Sequence, residues 1–482
     1  MRRIRFIKKI SRRGVWVAGA VLLFAPVYTA GATGIEPPAG IEVIHEWRER
    51  PDLLDDKSPD GLRVVQMTTN PEIASHHVYT EAQIITFDSK KFVFYRGRDL
   101  WVCDMADDFG IRRLTDEKGV KGPSVSPCGK WLYYLVDTTK PGAGTLTLKR
   151  VSLINFTRET LLVVDGPIPG TPYRPSRVYG LSSISSDGER LCTSAFLGDG
   201  KTPDGLFGLM VFDLVKRSVK IVFTGKGYSN MHPQYCRSTD PVLSHDIMIQ
   251  HDVGFTIGAD GRRAKRSRDY DIDLHVVADN AQKYRDVPIG RNGVEMIQGH
   301  QQWRGRTGTI LSSMHGLNAA AQKEQKRKPI VATPEAIPEP VWPIYPKQIL
   351  LAGPVPTDET TAHRGSNVPG GSYVDITRKM TKTGFRHFSS DISGMHIVTD
   401  SVERDEGRGE NVRLLYVGSL SKGENPELKV TYLLNSQSTG RGQPAHLHPF
   451  FSPDNRMAFF NSDVDGLPQI FMVTGYSFPG FE

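Results

Sequence analysis

One pattern of apolar and polar positions recurs along the chain: an apolar strand, a tight turn rich in serine, aspartate and glycine, and a second apolar strand. Aspartate, glycine and asparagine suit such a turn because they tolerate the left-handed backbone that a hairpin of this kind requires. The seven copies are Ile84–Tyr95, Val125–Tyr134, Ile184–Leu191, Tyr235–Pro241, Trp303–Ile310, Phe388–Met395 and Phe451–Ala458.

Most copies are followed by a further pair of strands, such as Asp99–Asp104 ahead of Arg112–Thr115. A unit of about four strands that repeats seven times predicts an all-β chain folded as a seven-bladed β-propeller over residues 40–482. A β-sandwich is the competing fold, but seven turns in register are too many for it. The segment Arg63–Thr68 precedes the first copy, so we expect it to supply the outer strand that closes the last blade. Residues 318–345, rich in Ala, Lys and Pro, predict a flexible insertion.

The N-terminus has the order of a secretory signal, which we assign to residues 1–32. Lysine and arginine dominate residues 2–13 without an acidic residue, an apolar run follows at Val15–Ala25, and small residues stand at Ala30–Ala32. Ser11–Arg13 is also compatible with a twin-arginine signal. The alternative is an uncleaved membrane anchor, although the run is short for a span. We therefore expect a periplasmic or secreted protein without stable membrane insertion after cleavage.

Composition narrows the ligand classes. The 47 glycines and 32 prolines suit short strands joined by turns, and the four cysteines include no C-x-x-C pair, which excludes a zinc knuckle. Two basic clusters, 262–268 and 323–328, contribute to the net charge of +7. They are most simply solvated loops, but their field would also attract a polyanion. In an exported protein that partner is an acidic polysaccharide rather than a nucleic acid. The oligomeric state is left open.

Alignment of the repeats brings scarce histidines to one position. Only 14 of the 482 residues are histidine. The residue four places before the serine-like position of each turn is, in chain order, Ala82, Gly122, Leu181, His232, His300, Phe385 and His448. Equivalent positions on the first strand of each blade lie at the same height around the channel, so these histidines should converge near the axis. Burial in ordinary polar contacts would explain one such histidine better than three.

The last copy has a second histidine two residues before the repeat position. His446 and His448 form an H-x-H on a predicted strand, where residues i and i+2 project from one face and can bind one metal ion. Gln443 precedes them in a predicted turn that could redirect its amide oxygen. Imidazoles and an amide without a thiolate favour Mn(II) or a similar divalent ion. His387 and His396 lie nearby, and ordinary packing is the simpler explanation for both.

Three stretches, 232–241, 299–303 and 443–454, resemble the signatures of the oligogalacturonate lyases. The resemblance implies a seven-bladed propeller that cleaves α-1,4-linked galacturonate chains from pectin by metal-assisted β-elimination. It further implies an acidic oligosaccharide as substrate, Mn(II) as cofactor and a 4,5-unsaturated uronate as product.

The same resemblance assigns roles to individual residues. It makes His300, Gln443, His446 and His448 the metal ligands and His232 the catalytic base. His251, on the following strand, is the alternative base.

The residue types agree with this chemistry. β-Elimination removes the weakly acidic proton on C5 beside the C6 carboxylate, and a neutral imidazole can accept a proton near pH 7. No pair of carboxylates stands out at the repeat position, which makes the hydrolase route of paired acids less economical. Two alternatives stay open. One is a lyase for another uronate polymer such as ulvan, and the other is a non-catalytic periplasmic propeller of the Tol-associated type that binds a protein or glycan.

Overall fold

The computed structural model describes residues 35–36, 42–282, 284–289, 295–317, 348–356, 372–380, 384–405 and 410–481. These residues form strands β1 to β32 in seven successive sheets, which we number as blades one to seven. Blade one contains β4 (Ser75–His76), β5 (Lys91–Arg96), β6 (Asp99–Asp104) and β7 (Gly110–Arg113). Blade two contains β8 (Val120–Val125), β9 (Trp131–Asp137), β10 (Leu146–Ser152), β11 (Arg158–Val164) and β1 (Ile35–Glu36). Blade three contains β12 (Arg177–Val178), β13 (Ser183–Ile184), β14 (Arg190–Phe196), β15 (Phe207–Asp213) and β16 (Ser218–Gly225).

Blades four to seven follow the same plan. Blade four contains β17 (Gln234–Tyr235), β18 (Asp246–Ile257), β19 (Arg263–Ala278), β20 (Arg285–Asp286) and β24 (Val355–Pro356). Blade five contains β21 (Glu295–Trp303), β22 (Ile310–Leu317), β23 (Ile349–Ala352) and β25 (Tyr373–Asp375), and blade six contains β26 (Phe385–Ser390), β27 (His396–Asp405), β28 (Glu410–Leu420) and β29 (Leu428–Asn435). Blade seven contains β30 (Phe450–Phe451), β31 (Met457–Ser462), β32 (Gln469–Thr474), β3 (Arg63–Gln66) and β2 (Arg48–Glu49). Short 3-10 turns occur at Pro51–Leu53, Leu243–His245 and Gln443–Ala445. The predicted all-β propeller of seven blades is confirmed.

The ring closes as the apolar pattern predicts. Strand β3 pairs antiparallel with β32, with Arg63 opposite Thr474 and Gln66 opposite Phe471. The N-terminal strand thereby completes the blade that the C-terminal strands begin, and this pairing closes the ring. The apolar core is divided among the interfaces of neighbouring blades, each a sheet-on-sheet contact of buried aliphatic and aromatic side chains.

In the recurring turn, one side-chain hydroxyl accepts a hydrogen bond from the backbone amide at the start of the second strand. In the seventh blade the Ser452 amide donates to the Met457 carbonyl at 2.9 Å, and the Met457 amide donates to Ser452 Oγ at 3.0 Å. Thr86, Ser126 and Ser185 accept from the residue five places later in the same way. A hydroxyl can both accept and donate, which explains the serine-like position of the pattern.

The sixth blade turns two residues later than the sequence pattern indicates. There the Asp391 amide donates to the His396 carbonyl, and the His396 amide donates to Asp391 Oδ1, each at 3.0 Å. A carboxylate oxygen thus occupies the place of the serine hydroxyl. The residue four places earlier is therefore His387, and the assignment of Phe385 to the repeat position is wrong. Four consecutive blades carry a histidine there: His232, His300, His387 and His448.

Three of the repeat positions have a left-handed backbone. The φ angle is 54° at Gly122, 47° at His232 and 44° at His448. The register of β8 shifts between Lys121 and Ser124 at the same place. Such bulges redirect a side chain, and a left-handed histidine costs on the order of 1–3 kcal/mol that the surrounding packing must offset. The backbone therefore turns these side chains at some energetic cost.

Closure of the ring also depends on Gly475, which follows β32 with φ 82°. A Cβ atom there would lie 2.1 Å from the Gly61 carbonyl oxygen, a backbone atom that cannot move aside cheaply. We expect Gly475→Ala to lower the free energy of unfolding by more than the roughly 1–2 kcal/mol of left-handed strain alone. Gly466→Ala is the matched control, since Gly466 has φ 101° and no atom within 4 Å of such a Cβ. Equal losses for the two variants in thermal unfolding would contradict this account.

Other expectations have mixed outcomes. The basic cluster 262–268 is a strand rather than a loop for most of its length, because β19 begins at Arg263, whose guanidinium lies 2.6 Å from Asp252 Oδ1. The four cysteines are free thiols. No helical segment in the described ranges combines the length and apolar character of a membrane span. The predicted signal peptide, the insertion at 318–345 and the cluster 323–328 lie outside the described residues.

Candidate metal centre

Three imidazoles from the last two blades meet beside the channel axis. One ring nitrogen from each of His387, His446 and His448 lies within 4.8 Å of the corresponding atoms of the other two. His387 is 2% exposed and His448 is 3% exposed, while His446 is partly accessible. The predicted pair on the seventh blade is therefore joined by the repeat-position histidine of the sixth.

Each of these imidazoles also has a buried nitrogen that lacks a hydrogen bond. Among the described residues, His387 Nε2, His446 Nδ1 and His448 Nε2 have no hydrogen-bond partner. A buried polar atom without a partner costs about 1–3 kcal/mol, and three of them in one place require a compensating ligand. A divalent cation fits, since neutral imidazole nitrogens are its ordinary donors. These residues thus fit a divalent metal ion.

Asp400 holds His387 in the orientation that a ligand needs. Its Oδ2 accepts from His387 Nδ1 at 2.8 Å, and its Oδ1 accepts from the His387 backbone amide at 2.7 Å. Burial opposes ionisation of Asp400, yet the charge and hydrogen bonds of His387 lower the pKa of this carboxyl. A carboxylate behind the Nδ1–H leaves Nε2 as the lone-pair donor, the arrangement found behind many metal-binding histidines.

The other predicted site residues occupy different places around this cluster. The His300 ring centroid lies 4.2 Å from that of His387, and His300 Nδ1 lies 2.8 Å from the Arg386 carbonyl oxygen. His232 is buried, with Nδ1 2.6 Å from Glu81 Oε1. Tyr79 joins the two groups, because its ring lies 5.1 Å from His232 and 4.5 Å from His448, centroid to centroid. The expected convergence of the repeat histidines is therefore observed.

Two further predicted site residues, Gln443 and His251, are not part of the histidine cluster. Gln443 is exposed and begins the 3-10 turn Gln443–Ala445, directly before His446, and its role as a ligand stays a prediction. His251 lies away from the cluster, packed on the ring of Tyr228 in the fourth blade at 4.5 Å between centroids. His387, for which the sequence favours ordinary packing, belongs to the cluster instead. The signal that would have found it is Asp391, which occupies the serine-like position of the turn five residues before His396.

Two arginines make this end of the channel electropositive. Burial and then the neighbouring His387, Arg413 and Arg386 lower the pKa of His446 to about 4. Burial and then repulsion from Arg386 lower the pKa of Arg413. An anionic ligand that approached His446 would relieve this repulsion.

The low pKa values of two histidines predict that the metal-free protein loses stability in acid. Burial lowers the pKa of His77 to about 3 and that of His446 to about 4, whereas an unfolded histidine titrates near 6.5. Between those values the unfolded chain binds protons that the folded chain does not, so the free energy of unfolding should fall as the pH is lowered from about 6.5 towards 4. Denaturant unfolding in a chelating buffer would measure this slope. A His446→Gln variant should have a shallower slope than the wild type, and identical slopes would refute the assignment.

A cavity of about 350 Å³ lies among the inner strands. Its lining includes turn residues such as Ser126, Arg306 and Ser452, together with inner-strand residues and Ala82 of the repeat position. None of the clustered histidines lines it. The cavity and the candidate metal centre are therefore lined by different residues.

Comparison with known proteins supports the fold. The chain superposes on an oligogalacturonate lyase from Vibrio parahaemolyticus with a TM-score of 0.60 and 16% identity, covering 91% of this chain and 98% of that one. For an oligogalacturonate lyase in complex with manganese the TM-score is 0.58 and the identity 17%, covering 92% and 98%.

Sequence comparison is more limited. An oligogalacturonide lyase of Pectobacterium atrosepticum is 32% identical over 94 residues, which is 18% of this chain and 24% of that protein. No family model matches the chain. The chain therefore spans about a quarter of the curated relative that it matches. The predicted resemblance to the oligogalacturonate lyases is confirmed in the seven-bladed fold.

Proposed function

We propose that this protein is a carbon–oxygen lyase that cleaves oligogalacturonates, the fragments of pectin, by metal-assisted β-elimination. The observation that carries the proposal is the cluster of His387, His446 and His448, which have ring nitrogens within 4.8 Å of one another. Each of the three rings also has a buried nitrogen without a hydrogen-bond partner among the described residues. The solved lyases of the same fold and the short curated match support the same reaction class.

His387, His446 and His448 would hold the ion, with Gln443 of the predicted set as a further ligand. A bound Mn(II) or similar ion supplies a Lewis acid that stabilises negative charge developing on the substrate carboxylate. Asp400 accepts from His387 Nδ1 and so leaves Nε2 as the nitrogen that can bind an ion. The structure favours His387 over His300 as the third imidazole, because one ring nitrogen of His387 lies within 4.8 Å of those of both His446 and His448.

His300 is the proton acceptor that the geometry favours. Its Nδ1–H donates to the Arg386 carbonyl, so Nε2 carries the lone pair that can take the C5 proton. The electron pair of the C5–H bond forms the C4=C5 double bond, and the C4–O bond breaks with its electrons on the departing oxygen, which then gains a proton. His232 is the alternative base, but its ring is buried and its Nδ1 faces Glu81.

Charge selects the substrate class. Arg386 and Arg413 are partly accessible beside His446, and the repulsion between them decreases when an anion binds. Each residue of a galacturonate chain carries one carboxylate, so such a chain can satisfy both arginines and the metal centre. The basic N-terminus and the apolar run Val15–Ala25 support export, and we propose a periplasmic or secreted location.

Product absorbance tests the proposal. The C4=C5 bond conjugated with the C6 carboxylate absorbs in the ultraviolet, so full-length protein incubated with Mn(II) and oligogalacturonates should give rising absorbance. His448→Gly should abolish the rise while keeping the left-handed backbone at φ 44°, which glycine adopts without strain. A rise in absorbance with ulvan fragments but not with oligogalacturonates would show that the substrate is ulvan instead. Absence of a rise with either substrate, together with absence of metal binding, would sink the lyase assignment.

A further inference from the structure

The fourth blade carries a second group of metal-binding side chains, separate from the candidate metal centre. One ligand atom from each of His251, Asp273 and His275 lies within 4.8 Å of those of the other two. Asp273 and His275 are each 1% exposed, and His251 is partly accessible. The group lies between the third and fourth blades, where Tyr228 packs on both Phe223 of β16 and His251 of β18.

The register of two long strands explains how these side chains meet. His251 on β18 stands directly opposite Asp273 on β19, and Ile249 stands opposite His275. Residues opposite one another, and residues two apart on one strand, project from the same face of a sheet. All three side chains therefore point from one face of the blade into the same interface, and no loop rearrangement is needed to bring them together.

His275 is oriented as a ligand rather than as half of a hydrogen-bonded pair alone. Its Nδ1 lies 2.5 Å from Asp286 Oδ1 and 2.7 Å from the Tyr284 hydroxyl. Its other nitrogen, Nε2, is buried without a hydrogen-bond partner among the described residues. With the proton on Nδ1, Nε2 is an acceptor, and an acceptor buried near a carboxylate and a second imidazole requires a cation or a donor between them.

We propose that His251, Asp273 and His275 form a second divalent-metal site with zinc(II) as its preferred type of ion. Two imidazoles and one carboxylate, without a thiolate, are a common three-residue set for zinc and for other borderline divalent ions, with the remaining position left for water. Asp286 is the positioning residue behind His275. The site ties β18 to β19 at the interface of the third and fourth blades, so its expected effect is on stability.

The loop before the fourth blade is shaped to cover this group. Gly227 has φ 78°, and a Cβ atom there would lie 2.8 Å from His251 Nε2. The absence of a side chain at position 227 therefore leaves the space next to the imidazole nitrogen that an ion and its water would occupy. This observation is independent of the sheet register and points to the same place.

Metal stoichiometry tests the proposal. Full-length wild type, dialysed against ZnCl2 and analysed by plasma mass spectrometry, should hold one zinc ion per chain more than His251→Gln does. His251 is the partly accessible member, so its replacement leaves the buried His275–Asp286 pair in place, and Asp273→Asn provides a second variant. His245→Gln is the matched control, since His245 lies in the same blade with its Nδ1 3.0 Å from Asp279 and outside the cluster.

Zinc should also raise the melting temperature of wild type and of His245→Gln by at least ~2 °C more than that of His251→Gln. Equal stoichiometry in wild type, His251→Gln and Asp273→Asn would overturn the proposal and leave the cluster as a buried polar network. The count does not depend on lyase activity. If adding His446→Gln to the His251→Gln variant lowers the zinc count by one further ion per chain, the two sites are separate. The proposed function is then tested independently by product absorbance.

Discussion

Replacing His387 by glutamine should remove about one Mn(II) ion per chain and lower the rate of unsaturated product formation by at least ~100-fold. The reason is that His387 joins the two histidines of the seventh blade into one cluster, with a ring nitrogen within 4.8 Å of both. Loss of a residue that only supports a ligand already costs about 10–100-fold, so loss of the ligand itself should cost no less. Paramagnetic resonance of unbound Mn(II) and product absorbance would measure the two effects.

His396→Gln is the matched control for that experiment. His396 lies on the same blade, and its Nδ1 contacts the carboxylate of Asp391 at 3.0 Å, which parallels the pairing of His387 with Asp400. It begins β27, directly after the turn, and is not among the clustered histidines, so both metal binding and activity should stay near wild type. Full Mn(II) occupancy in His387→Gln would show that the cluster does not hold the ion.

Replacing His300 by asparagine should have a different effect, with metal retained and turnover lowered by roughly 10²–10⁴-fold, the contribution typical of a general base. His300 lies beside His387, with ring centroids 4.2 Å apart, and the Arg386 carbonyl fixes its Nδ1 proton. The acid limb of the pH profile of kcat/KM should disappear in the variant, which a purely structural role would not cause.

His232→Asn is the comparison that separates the two candidate bases. Asparagine tolerates the left-handed backbone at position 232, where φ is 47°, so the variant should fold. His232 is paired with Glu81 and buried, and we expect the variant to keep most of its turnover. If instead His232→Asn loses the acid limb while His300→Asn retains it, the base is His232, as the resemblance to the oligogalacturonate lyases implies.

Much of the fold can be predicted from local patterns. A tight turn between two apolar strands forms from residues near in sequence, and Ser452 and Ser126 make the same hydrogen bond in two different blades. Seven such turns define seven blades, and the strand at Arg63–Gln66 closes the ring as its position before the first copy indicates. The histidines at 232, 300 and 448 follow from the same alignment, because equivalent positions recur at equal heights around an axis.

The amino-acid order alone thus determined the blade count, the ring closure and three of the four histidines at the repeat position. It could not determine the fourth, because Asp391 fills the serine-like place with a carboxylate and shifts the turn of the sixth blade by two residues. Only hydrogen bonds between strands reveal that shift. The group of His251 and Asp273 likewise depends on the pairing of β18 with β19 across more than twenty residues. Contacts between strands, which local sequence does not encode, decided which histidines share a site.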